Sequence, residues 1–107
     1  MILFSVLMYR DLVDINPQLY QVNFAKEPSE EWLRGIGITA KKNDDILACF
    51  GITRRNVAWS VLGEHFREDA REIICEMREI MLEYPEQVST LIEVGCSKCA
   101  RMATILG

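Results

Sequence analysis

Long hydrophobic runs are missing from this 107-residue sequence. No stretch approaches the roughly 20 apolar residues a membrane-spanning helix needs. The opening MILFSVLM is apolar, but no basic residue precedes it, and Arg10 and Asp11 close it without a small-residue cleavage site, which argues against a secretory leader. A soluble, cytoplasmic protein with no membrane partner is expected. Histidine occurs once, at His65, and the local sequence supplies no Ser-His-Asp or Cys-His logic around it. The glycine pair of GIG, Gly35 and Gly37, lacks the rest of either nucleotide-binding fingerprint. No enzyme activity is therefore expected, and no cofactor or metal is assigned. Internal repeats, low-complexity tracts and linker-like stretches are absent too, so residues 1–107 read as a single domain.

What is present is the balance of an ordinary globular protein: 50% of the residues are apolar and 26% charged, enough to bury one core without covalent staples. With no secretory signal, Cys49, Cys75, Cys96 and Cys99 read as reduced thiols buried as small hydrophobes. CSKC, Cys96 to Cys99, has C-x-x-C spacing. Too little chain follows it for a thioredoxin-like arrangement, and zinc would need two more ligands from Cys49, Cys75 and His65, none of them paired at ligand spacing.

Helical periodicity is clearest in REDAREIICEMREIMLEYP. Phe66, Ala70, Ile73, Ile74, Met77, Ile80, Met81 and Tyr84 share helical spacing, and Pro85 stops the pattern. TRRNVAWSVLGEHF reads as a preceding helix with Thr53 as its N-cap. EQVSTLIEVGCSKCARMATILG reads as a last helix from about Glu86, with Val88, Leu91, Ile92, Gly95, Cys99 and Met102 on one face. PSEEWLRG carries helix-start chemistry in Ser29, Glu30 and Glu31, and a stop at Gly35. LYQVNFA alternates as a strand does, whereas MILFSVLMYRDLVDI fits either a helix with Phe4, Met8, Leu12 and Ile15 inward or a buried strand that turns into something else. The fold class expected is mainly α: a compact helical bundle, with room for a small β element in the first 40 residues.

In DDILACFGITRRNVAWSVL, Asp44 to Leu62, two short helices would meet at Gly51, with Ile46, Phe50, Ile52 and Val57 at the offsets that hold a steep crossing. Over residues 43 to 62 the chain resembles the helix-turn-helix family of DNA-binding regulators. It departs from that pattern at Leu47, where the family usually has alanine or glycine, and at Ser60, where it has an aliphatic side chain. The resemblance implies that Thr53, Arg54, Arg55 and Asn56 open a recognition helix in the major groove, with Lys41 and Lys42 reaching flanking phosphates.

Charge divides the chain. Residues 63–107 carry nine acids against five bases, whereas residues 1–62 balance. Glu68, Glu72, Glu76, Glu79 and Glu83 line the acidic helix and can present a negative surface to a basic partner. Trp32 and Trp59 are candidate interface anchors where exposed. The expectation is a small non-enzymatic interaction protein that binds a protein partner, of adaptor or inhibitor type. The alternative is a helix-turn-helix regulator binding duplex DNA, as a homodimer through its acidic C-terminal helices.

Overall fold

The computed structural model describes residues 2–17, 30–85 and 87–90. In chain order these form β1 (Leu3–Val6), α1 (Tyr9–Asp14), α2 (Glu30–Arg34), β2 (Ile36–Lys42), β3 (Asp45–Ile52), β4 (Val57–Leu62), a 3-10 turn (Phe66–Asp69), α3 (Ala70–Glu83) and β5 (Ser89–Thr90). Strands β1 to β4 are antiparallel neighbours in sequence order, and the two-residue β5 joins β4 in parallel. The protein is thus an α/β fold on a four-strand antiparallel sheet, not the helical bundle expected from the sequence.

The physical reason lies in β3 and β4. A helix-facing strand shows polar residues on its outer face, but these strands are covered on both faces, so their alternation disappears into a continuous apolar run. On one face Ala48, Phe50 and Leu62 pack with Phe66, Ile73 and Met77. On the other, Cys49, Trp59 and Val61 pack with Leu7, Leu12, Ile15 and Trp32. Ala40 lies opposite Ala48, but Lys41 lies opposite Ile46, so Leu47 is an extra residue in β3. This bulge lets Leu47 and Ala48 enter the same core and reverses the facing of the strand beyond it.

Helix α3 matches its sequence pattern. Ile73 and Met77 are buried against the sheet, with Ala70, Ile74 and Ile80 packed around them. Each of the two buried side chains contributes about 2 kcal/mol by removal from water. The pattern begins with the 3-10 turn, and the helix ends before Pro85. Helix α2 likewise opens with Glu30 and Glu31 in its first turn and stops before Gly35.

MILFSVLMYRDLVDI is a strand followed by a helix, but the strand is not the buried one of the second reading, since Leu3, Ser5 and Val6 are exposed at the border of the sheet. The expected last helix from about Glu86 is corrected at its start, where Ser89–Thr90 is a strand paired with Val57 and Ala58. The remainder of that stretch, with Cys96 and Cys99, lies outside the described residues, as do LYQVNFA and Ser29. Among the described residues no helix is long and apolar enough to cross a membrane.

Candidate functional site

The stretch expected to be a helix-turn-helix is a β-hairpin. Gly51 is inside β3, opposite Gly37 on one side and Trp59 on the other. A Cβ at this position would collide with the Ile36 carbonyl, so glycine is there for the close approach of β2 rather than for a turn between helices. The turn comes later, over residues 53–56. The Thr53 hydroxyl accepts hydrogen bonds from the Arg55 and Val57 N–H groups, both at 3.2 Å. Asn56 takes a left-handed conformation at φ 63°, which asparagine tolerates better than most residues. Tyr84, at the end of α3, donates its hydroxyl proton to the Asn56 side-chain carbonyl and ties the turn to the helix.

The candidate DNA contacts are consequently dispersed. Thr53 is buried, Arg54 pairs with Glu31 at 3.5 Å, and Arg55 is exposed. Lys41 pairs with Asp11 at 3.1 Å and Lys42 with Asp69 at 3.4 Å. No recognition helix starts at Thr53, and three of the four basic side chains already face a carboxylate.

Among the described residues Asp11 is the most embedded charge. Its carboxylate accepts from the Met8 N–H at 3.0 Å and from the Thr39 hydroxyl at 2.8 Å, and it faces the Lys41 ammonium. Burial alone would raise its pKa, but the hydrogen bonds and Lys41 outweigh it and hold the carboxyl below its ordinary value. The group fastens the first turn of α1 to β2. Beside it, burial pushes the Cys49 thiol up to about 12, so this cysteine remains a protonated core side chain. Cys75, expected to be buried, is exposed on α3. Among the described residues no three His, Cys, Asp or Glu side chains are gathered closely enough to hold a metal ion.

Both tryptophans are buried, and they stack with ring centroids 4.5 Å apart and planes 7° from parallel. They belong to the core between the sheet and α1–α2. Glu72, Glu79 and Glu83 are exposed on α3 and Glu76 is half-buried, but Arg71 and Arg78 share the exposed side, so the helix is a mixed face rather than a pure acidic stripe.

Negative charge converges instead at the end of the sheet. Here the β2–β3 turn, the exit of β4 and the 3-10 turn line an open groove of about 610 Å³. Asn43, at φ 58°, makes the tight reversal that presents Asp44 and Asp45. Gly63 follows β4, and its N–H donates to the Leu47 carbonyl at 2.8 Å. Phe66, buried in the core, anchors the 3-10 turn and leaves Glu68 and Asp69 at the groove.

His65 Nδ1 lies 2.7 Å from Asp45 Oδ2. The hydrogen bond and charge of Asp45 raise the His65 pKa above its ordinary 6.5. The lining holds four carboxylates, Asp44, Asp45, Glu68 and Asp69, against one lysine, Lys42. Of these acids only Glu68 stood among the candidates from sequence. The signal for Asp44 and Asp45 was the Asn43-Asp44-Asp45 run directly after two lysines, a hairpin turn that the helical reading concealed.

No family model, curated protein or solved structure matches this chain.

Proposed function

We propose that the protein is a non-enzymatic interaction protein that binds a basic segment of a protein partner in the groove at the end of the sheet. The observation that carries this reading is the convergence of Asp44, Asp45, Glu68 and Asp69 on one open cleft, where Lys42 pairs with Asp69 and His65 with Asp45. Lysine and arginine side chains of a partner would find carboxylates on two sides of the cleft, from the β2–β3 turn and from the 3-10 turn. Charges placed on this rim set approach rate and partner choice more than raw affinity. An adaptor or inhibitor fits such a surface.

Isothermal titration of the full chain with a lysine- and arginine-rich peptide tests it, with an acidic peptide of equal length and a DNA duplex as the other ligands. The basic peptide should bind, and Asp44→Asn with Asp45→Asn and Glu68→Gln should weaken it at least tenfold. Equal binding of the acidic peptide would sink the proposal. Tight duplex binding that falls steeply with salt would favour the DNA alternative instead. The ion pairs on Lys41, Lys42 and Arg54 weigh against that outcome.

A further inference from the structure

We propose that a second copy of this chain pairs with the open edge of β1, in one antiparallel register, to extend the sheet across a twofold axis. The open edge follows from the pairing of β1 with β2. Leu7 N–H donates to the Gly37 carbonyl at 3.0 Å, and the register runs without a break from Val6↔Ile38 to Leu3↔Lys41. Antiparallel strands alternate inward and outward hydrogen-bonding residues. Leu3, Ser5 and Leu7 therefore turn their backbone groups toward β2, while Phe4 and Val6 turn theirs away. Among the described residues β1 has β2 as its only strand neighbour.

Edge strands of monomers are ordinarily guarded by charge, proline, a bulge or extreme shortness. The opposite edge has the last of these devices, since β5 spans two residues. Strand β1, LFSV, contains no charge, no proline and no bulge. Its apolar side chains are open on both faces, Leu3 being 67% and Val6 74% exposed, and Met8, Tyr9 and Val13 are exposed just beyond it. Such open apolar side chains are unfavourable in water and favourable against their like.

The second copy is favoured over another partner because the strand complements itself. With Ser5 on the twofold axis, Phe4 lies opposite the partner's Val6 and Val6 opposite the partner's Phe4. Both outward residues of each strand then exchange hydrogen bonds. Leu3 comes opposite the partner's Leu7. The exposed Val6 thus gains Phe4 as an apolar neighbour, Leu3 comes to lie over the rim of the core that holds Leu7, and the two serines meet on the axis. The chain carries a net charge of −4, so copies repel at a distance. Only an uncharged strand can be brought against itself without setting like charges opposite one another. This surface shares no residue with the acidic groove, so either can fail alone.

Sedimentation equilibrium of the full chain should give a dimer. Ser5→Lys, at an exposed position, would set two ammonium groups against each other on the axis and raise the dissociation constant at least tenfold, with an unchanged circular dichroism spectrum. Under mild oxidation Ser5→Cys should form a disulfide through the substituted position, identified as a peptide linked to itself by mass spectrometry. Leu3→Cys, whose opposite residue is Leu7, should not link to itself. A monomer at every concentration, a dimer indifferent to Ser5→Lys, or self-linking of Leu3→Cys in place of Ser5→Cys would overturn the proposal.

Discussion

Asp11 couples a buried charge to the position of a whole helix. Its side chain is 8% exposed and holds Met8, Thr39 and Lys41 together. A carboxylate whose pKa is depressed on folding stabilises the native state above its unfolded value, and that contribution is lost as pH falls through the folded value. For Asp11 the loss begins below the ordinary 3.8. Asp11→Asn keeps the shape but removes the charge that Lys41 faces, and should cost about 1–3 kcal/mol in urea unfolding at neutral pH. The variant should also lose the part of the acid sensitivity that this carboxyl supplies, so the two unfolding midpoints should draw together as pH falls below 3.8. A variant as stable as the parent at neutral pH would show that the network is decorative.

At the scale of elements, Gly51 exemplifies how one residue admits two readings. Glycine between two apolar runs fits a helix corner, and it equally fits a strand interior where neighbouring backbone comes too close for a side chain. The collision of a Cβ with the Ile36 carbonyl selects the second. Gly51→Ala should therefore destabilise by about 2–3 kcal/mol, as overpacking does, rather than stabilise as glycine-to-alanine does in a helix. Chemical denaturation distinguishes the signs.

Amphipathic elements with one wet face were legible in the sequence. Helix α3 announced itself through Ile73 and Met77 against Glu72 and Glu79, and α2 through its acidic first turn and Gly35. Strands β3 and β4 were not legible, because Phe50 and Cys49, or Leu62 and Val61, are neighbours in sequence that fill opposite cores. Their turns were marked by Asn43 and Asn56, both at positive φ. The acidic groove was hidden with them, since it joins Asp45 to His65 and Lys42 to Asp69 across distances that only the sheet closes.

For the whole molecule, the ionisation of His65 sets the charge of the groove. A histidine whose pKa is raised on folding contributes stability that is fully present below its unfolded value and is lost as pH rises through the folded one. The lining is accordingly less negative at mildly acidic pH. As the only histidine, His65 can be followed directly by proton NMR. Its titration should lie above 6.5 and move down in Asp45→Asn. The affinity for a basic peptide should rise as pH passes through that midpoint, and a flat affinity would separate His65 from the binding surface.

The order of the strands also bears on how the chain reaches its native state. Strands β2, β3 and β4 are joined by short turns within residues 36–62, whereas β1 must find β2 across more than thirty residues. Local pairings close at lower entropic cost, so the three-strand meander is expected to assemble before β1 docks. Until it does, β2 is the exposed border of the growing sheet. That strand ends in Lys41 and Lys42, charges that discourage premature association with other nascent chains. The lysines thus guard β2 while it is bare and turn to Asp11 and Asp69 once it is covered.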